Sequence, residues 1–548
     1  MTAFGVFSGA FLARSMRQVR RFHRNTCGSI AIIASTCLVF LVVGAGMAVD
    51  FVRASEQQQA LNHAIDAAAL AVANSSLTDQ ADLEELARNY ISANLSDVDI
   101  AELDLTITIT DDKVSISANR DMPTTLMQIA SIETMTLTAF TEVTRAVTNT
   151  EVVLVLDNTG SMASNGKLAA LKEAATDLTD ILFGDETQSE TLKMGVVPFA
   201  VSVNVGPQYT SETWLDHNGL NAISHLNFSD SSKHNSWAWN QLDSSSWNGC
   251  VEQRKVATGI DYDIDDTTPD VSNPDTLFPI YFAPDEPSDT NNASSMSGYG
   301  GGFVNSYMSD WLASETVSTS TKKSTSLSNR QRRYEKYVGA SVSAGSGTVP
   351  KGPGYLCGTA ALTPLTGTKQ TVTDALDDMV AIGGTNIASG IGWGLRVLSP
   401  TAPFTEGADY DDDDWNKIMI IMTDGDNDWG NVLSNMNNSY YGGYGYASQV
   451  ATRLGLSSTP TTDAALDNIL NLRTTAACDE VKSATGDADH PVTVYTITFG
   501  TSLTNSAKTL MEDCATDSEK YFHAPDNATL EDVFDTIATE IKDVYLSK

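Results

Sequence analysis

Asp157, Thr159 and Ser161 stand two residues apart, directly after the apolar run Val152-Val153-Leu154-Val155-Leu156. A run that short and that apolar fits a strand buried on both faces, as in a parallel sheet. The spacing gathers one carboxylate and two hydroxyls beyond the strand's C-terminal end, the edge where open α/β sheets bind ligands. Such a hard-oxygen set suits Mg²⁺ or Mn²⁺ rather than zinc or copper. Two further stretches belong with it. Gly383-Gly384-Thr385-Asn386 precedes the helical pattern Ile387, Ile391, Leu395, Leu398, and Ile418-Met419-Ile420-Ile421-Met422 runs into Thr423-Asp424-Gly425. Asp157, Thr159, Ser161, Thr385 and Asp424 thus each fall at a strand end or a helix start.

In that order, Asp-x-Thr-x-Ser, Thr and Asp resemble the metal-ion-dependent adhesion site of von Willebrand factor type A domains. The likeness covers most of residues 148–548. Thr159 stands where the family usually has Ser, and the hydroxyl is kept. The resemblance implies an α/β fold with a doubly wound, mainly parallel sheet. It also implies Asp157 and Ser161 as direct or near-direct ligands, Thr159 and Thr385 as hydroxyl or water-bridged ones, and Asp424 acting mainly through water. Mg²⁺ keeps waters and rarely takes a full protein cage. One position therefore stays open, which in the family accepts a protein partner's Asp or Glu carboxylate.

The elements that must position this set are legible as apolar strands over Met194–Val203, Lys417–Met422 and Val492–Phe499, separated by helices. Lys167–Phe183 carries Leu168, Leu171, Leu178 and Leu182 and stops at Gly184. A last helix carries Leu530, Val533, Phe534, Ile537, Ile541 and Val544. Residues 204–366 form a long insertion that is too large for a structureless loop, and 427–462 form a second. Trp237, Trp239, Trp247 and Trp311 read as the first insertion's core. The acidic runs 261–266 and 409–414 read as solvated loops. The basic stretch Lys322, Lys323, Arg330, Arg332, Arg333 and Lys336 reads as a solvated face.

Cys250, Cys357, Cys478 and Cys514 lie in the exported part, where oxidation is permitted. Four cysteines allow three connectivities; the expected one is Cys250–Cys357 with Cys478–Cys514. Cys27 and Cys37 are expected free, and no CxxC spacing suggests zinc.

The 548-residue chain carries a net charge of -36, which excludes a nucleic-acid partner that needs a basic face. No Asp or Glu precedes Asp50, whereas Arg14, Arg17, Arg20, Arg21 and Arg24 do. Ile30–Val49 is uncharged and about as long as a bilayer core requires, roughly 20 residues. The flanking charges place residues 1–29 in the cytoplasm and the remainder outside. The helical pattern continues to Asn74, with Leu61, Ile65, Ala69 and Val72 on one side. Cys27-Gly28-Ser29-Ile30-Ala31, Gln59-Ala60-Leu61 and Ala64–Ala71 resemble the N-terminal segment of TadE/TadG-like proteins of the Tad (Flp) pilus-assembly systems. Trp247-Asn248-Gly249-Cys250-Val251-Glu252, Gly392–Pro400 and Tyr444-Gly445-Tyr446 extend the likeness to TadG.

The expected organisation is a basic segment (1–29), a transmembrane helix (30–49), a helical extension with a small α+β stalk (50–147), and the type A domain (148–548). Within the stalk, a helix over Asp79–Ala93 precedes strands at Leu103–Thr110, Val114–Ala118 and Met135–Val143, with Asp111-Asp112 as a hairpin turn. The resemblances imply a single-pass bacterial inner-membrane protein of pilus assembly. It binds acidic groups of other Tad components through Mg²⁺ or Mn²⁺ and is not an enzyme. The alternative is an envelope adhesin that touches host or matrix proteins with its Tyr/Gly/Ser-rich insertions. Metal-assisted hydrolysis would need a general base in reach, and only Asp426 or Asp428 offers one.

Overall fold

Two units make up the chain, residues Met1–Val147 with Leu546–Lys548, and Thr148–Tyr545. The structure, a computed structural model, describes residues 28–73, 75, 80–95, 100, 103–109, 113–144, 149–257, 259–287, 303–318, 321, 325–348, 350–412, 414–432, 436–485 and 492–546. Cys27, the arginine cluster, the Asp111-Asp112 turn, Lys322 and Lys323 lie outside them.

In the first unit, α1 (Gly28–Ala73) is one 46-residue helix, about 69 Å long at 1.5 Å per residue. Its N-terminal half is apolar and exposed, with Ile32, Leu38 and Phe40 all open. The helix is long and apolar enough to cross a membrane. Its C-terminal half buries Leu61, Ile65, Ala69 and Val72, the side on which the sequence grouped them. They pack with α2 (Gln80–Asn94) and with a three-stranded antiparallel sheet, β1 (Asp104–Ile109), β2 (Lys113–Pro123) and β3 (Thr134–Thr144). Period-2 burial of Val114, Ile116 and Ala118 turns one face of that sheet to the helices.

The second unit is built on β4 (Asn149–Asp157), with α3 (Lys167–Phe183) and β5 (Leu192–Phe199) following. Next come the short strands β6 (Val203–Asn204), β7 (Cys250–Val251) and β8 (Thr363–Thr366), then α4 (Lys369–Asp377), α5 (Ile387–Leu398) and β9 (Trp415–Thr423). A small hairpin, β10 (Asn431–Val432) and β11 (Asn438–Ser439), leads to α6 (Asp463–Ser483), β12 (Thr493–Phe499), α7 (Asn505–Cys514), β13 (Tyr521–Ala524) and α8 (Asn527–Leu546). The main sheet runs β13-β12-β9-β4-β5-β6-β7, with β8 also on β5. Its first five strands are parallel, and β6, β7 and β8 are antiparallel additions.

Alternation along β4 divides the core. Val152, Leu154 and Leu156 meet Leu171 and Leu178 of α3, Val372 of α4 and Phe534 and Ile537 of α8. Val153 and Val155 meet Ile391 and Leu395 of α5, Val481 of α6 and Met511 of α7. The sheet is thus covered by helices on both faces. Helix α5 lies so close that a Cβ on Gly394 would sit 2.6 Å from Val155 Cγ2 and 3.0 Å from Met419 Cε. We expect Gly394→Ala to cost about 1–3 kcal/mol by overpacking. The measurement is urea denaturation, with the midpoint falling at unchanged slope.

Several expectations need correction. The strand expected over Met194–Val203 stops at Phe199, because the chain reverses at Ala200–Ser202, with Ala200 N donating to Ser202 O at 3.2 Å, and returns as antiparallel β6. Strands β8 and β13 escaped notice because four residues each give too little pattern. The run 261–266 is not wholly solvated. Asp263 and Asp265 are buried, Asp263 against Arg473 at 2.5 Å and Asp265 against Arg254 at 2.5 Å. Nor is the described part of the basic stretch wholly solvated: Arg332 is exposed, but two members are buried in ion pairs. Arg330 is buried on Asp310, and Lys336 pairs with Asp285 at 2.8 Å. The described residues of the 204–366 segment contribute to the sheet's core, with Trp239 and Trp247 buried and Trp237 partly so. Trp311 instead lies beneath Arg333, whose Cζ is 5.6 Å from the indole ring's centroid. Tyr441, Tyr444 and Tyr446 are buried too, so these side chains form core rather than a contact face. The disulfides are Cys250–Cys357 and Cys478–Cys514, and Cys37 is free.

Candidate metal centre

Strand β4 ends at Asp157, where the chain turns on the residue's own carboxylate: Thr159 N donates to Asp157 Oδ1 at 2.8 Å, a local bond that Asp makes well. The register of β4 with β9 sets Leu156 opposite Met422, so Asp157 lies beside the end of the neighbouring strand. There Thr423 Oγ1 donates to Asp157 Oδ2 at 2.7 Å and Asp424 N at 3.3 Å. Thr159 Oγ1 and Ser161 Oγ are 3.0 Å apart, and the Ser161 hydroxyl donates to Asp424 Oδ1.

The third loop is stitched to the first. Gly160 N donates to Gly383 O at 2.9 Å, and Ile382 N to Asn158 O at 2.8 Å. Thr385 exchanges backbone bonds with Asp428, and Asn386 caps α5 by accepting from Ser389 N at 3.2 Å. A Cβ on Gly425 would lie 3.9 Å from Thr385 Oγ1 and 4.0 Å from Ser161 Oγ. The absence of a side chain at Gly425 therefore leaves both hydroxyls open to one small space. All five residues singled out in the sequence meet at the C-terminal edge of the central strands.

Two members were missed. Thr423 supplies a hydroxyl to Asp157, and Lys167 Nζ donates to Asp424 Oδ2 at 2.7 Å. A signal for Lys167 was present: a lysine in the first turn of α3, which has no acidic residue there, opposes the helix dipole. It needs a carboxylate in front of it.

The electrostatics are unbalanced. Asp157 is buried and has no cationic partner among the described residues, while Lys167 serves Asp424. Burial, and then the Asp424 carboxylate, push the Asp157 carboxyl up to about 6. Two buried carboxylates and one lysine leave one negative charge uncompensated, a costly arrangement without a further cation. Among the described residues no three His, Cys, Asp or Glu side chains cluster as metal ligands. The donors here are two carboxylates and three hydroxyls, hard oxygens that fit Mg²⁺ or Mn²⁺. The two other carboxylates of this loop are engaged elsewhere, Asp426 Oδ1 with Thr504 N at 3.0 Å and Asp428 Oδ1 with Gly430 N at 2.8 Å.

A parallel sheet with helices on both faces, and carboxylates and hydroxyls gathered at its C-terminal edge, makes the second unit an open α/β fold, a class in which that edge is where ligands bind. Residues 28–75 match the Tad family, described as "Putative Flp pilus-assembly TadE/G-like". Among curated proteins none matches the chain. Among solved structures, the pilus adhesin SpaC of Lactobacillus rhamnosus GG is similar at 11% identity over 81% of this chain, with a TM-score of 0.32. This chain covers 34% of that one, about a third of its length. The vWF domain of the type V pili tip protein Mfa5 of Porphyromonas gingivalis is similar at 10% identity, over 73% of this chain and 97% of that one, with a TM-score of 0.32. A von Willebrand factor type A structure from Catenulispora acidiphila is similar at 11% identity, over 80% and 49%, with a TM-score of 0.26.

Proposed function

We propose that the chain is a membrane-anchored component of a Tad pilus-assembly system whose second unit is a von Willebrand factor type A domain. That domain captures a protein partner through a divalent cation, without catalysis. Helix α1 anchors the chain in the bacterial inner membrane, with residues 1–29 cytoplasmic and the rest in the envelope. The observation that carries the metal reading is Asp157, a buried carboxylate with a second carboxylate beside it and no cationic partner of its own among the described residues. Asp157, Thr159, Ser161, Thr385 and Asp424 would hold Mg²⁺ or Mn²⁺. When bound, the ion offsets the two carboxylates and accepts an acidic side chain of another Tad component. Lys167 keeps Asp424 oriented, and the Thr159 and Thr423 bonds hold Asp157 facing the hydroxyls. Asp426 and Asp428, the bases a hydrolase would call on, each accept a backbone N–H through Oδ1.

The test is titration calorimetry of Mg²⁺ and Mn²⁺ into the full chain in detergent, beside Asp157→Ala. Saturable binding to wild type alone is expected, with capture of Tad components lost in chelator. Equal capture with and without chelator would remove the metal from the reading.

A further inference from the structure

In the first unit, the loop from Thr124 to Glu133, between β2 and β3, folds back on α1 at the end of its uncharged stretch. Contact there is close: a Cβ on Gly46 would sit 2.6 Å from Leu126 Cβ. One turn later comes Asp50, the first acidic residue of the chain, which is buried although it lies on the helix that carries the apolar stretch. Its Oδ2 accepts Leu126 N and Met127 N, both at 2.7 Å, and Thr125 N at 3.1 Å. Arg53 lies 3.7 Å from Asp50 and donates to Thr125 Oγ1. The carboxylate is thus satisfied within the chain, as a charge at a bilayer boundary must be.

Held in this way, the loop half-buries Leu126 and Met127 and leaves its two isoleucines uncovered. The short helix Met127–Ala130 and the left-handed Ser131 (φ 65°) present Ile129 and Ile132 outward, 63% and 41% exposed. On α1, one and two residues beyond Asp50, Phe51 and Val52 are 66% and 55% exposed. Two exposed isoleucines on a loop held against the end of an apolar stretch, with Phe51 and Val52 of that helix also open at the same level, mark an interaction surface rather than scattered exposure.

We propose that this loop is a second, interfacial membrane contact. Ile129 and Ile132 enter the headgroup–acyl boundary where α1 leaves the bilayer, and the Asp50 bonds fix the angle between helix and loop. The occupant is lipid, because Leu126 already touches Gly46 within the apolar stretch. A loop seated against the last turn of a bilayer-crossing segment has to lie at the level of the interface. The proposal rests on the reading of α1 as a membrane anchor.

The experiment uses the full chain carrying Cys27→Ser and Cys37→Ser, since the other four cysteines are disulfide-bonded. Single cysteines are placed by Ile129→Cys, Val39→Cys or Thr108→Cys and labelled with an environment-sensitive fluorophore. Each labelled chain is reconstituted into phosphatidylethanolamine–phosphatidylglycerol vesicles. Thr108 pairs with Ser115, roughly 27 Å along β2 from Pro123 at 3.4 Å per residue, and reports the aqueous end. Spin-labelled lipid should quench the labels at 39 and 129 and spare 108, while aqueous dithionite should bleach 108 and spare the other two. A label at 129 that bleaches like 108, with 39 still quenched by lipid, overturns the loop contact and leaves the anchor standing. Bleaching at all three positions overturns the anchor and the loop together. Ile132→Cys repeats the readout from a second position.

Discussion

Asp157→Asn is expected to abolish Mg²⁺ binding at little cost to the metal-free chain, whereas Glu151→Ala, six residues earlier on the same strand, is expected to unfold it readily. Both carboxylates are buried, and their surroundings are opposite. Glu151 accepts from Lys417 Nζ at 2.6 Å, Lys193 Nζ at 3.3 Å and Ala408 N at 2.7 Å. Deleting it strands the Lys417 ammonium, whose remaining bond is to Leu398 O at 2.8 Å. Burial already holds that ammonium below its ordinary range. Breaking a buried pair from one side costs about 3–5 kcal/mol.

Asp157 has no ammonium to strand. Asparagine keeps its shape and removes the charge that faces Asp424, and the Thr423 hydroxyl can turn to accept from the amide. The expected cost without metal is about 0–1 kcal/mol. Urea denaturation in chelator measures both values. Adding Mg²⁺ to about 100 times its dissociation constant should then stabilise wild type by about 2.7 kcal/mol and the Asp157→Asn chain not at all. A cost at Asp157 equal to that at Glu151, with no Mg²⁺ dependence in wild type, would make Asp157 a structural carboxylate and end the metal reading.

What the sequence disclosed follows the physics of each signal. The strands β4, β9 and β12 were legible because a strand buried on both faces must be continuously apolar, and the candidate-site residues drew attention because their hydroxyls and carboxylates fall where such runs stop. Charge was read poorly. Asp263 finds Arg473 across 210 residues, Lys336 finds Asp285 across 51, and Lys167 finds Asp424 across 257. A charged run looks the same in one dimension whether it is solvated or paired in the core. The reversal after Phe199 was equally silent, since Ala200-Val201-Ser202 contains neither Gly nor Pro and turns through backbone bonds.

The separation between scaffold and site leads to the second large effect. Cys250→Ser with Cys357→Ser opens a cross-link spanning 107 residues, which by chain entropy stabilises the fold by about 4.7 kcal/mol. Cys478–Cys514 spans 36 residues and is expected to contribute about 4 kcal/mol on the same reasoning. The locations of the losses should differ. Cys250 lies in β7, the edge strand of the sheet beyond β6, and its carbonyl accepts Trp247 Nε1 at 2.6 Å and Tyr281 N at 3.1 Å. Opening that bridge should raise hydrogen exchange across residues 204–366 first. Cys478 lies in α6 and Cys514 ends α7, both packed on the central strands, so opening this bridge should lower the stability of the whole unit. Asp157, Thr159, Ser161, Thr385 and Asp424 all lie outside 204–366. At a temperature where both chains stay folded, the Cys250→Ser/Cys357→Ser chain should bind Mg²⁺ with unchanged affinity and lose only the contacts that the long segment makes with a partner. If its metal affinity fell together with its stability, residues 204–366 would have to be counted among the elements that shape the site, through contacts such as Gly443 N to Val201 O and Gln253 N to Gly443 O, at 2.7 and 2.8 Å, which join the segment to the loops around the candidate site.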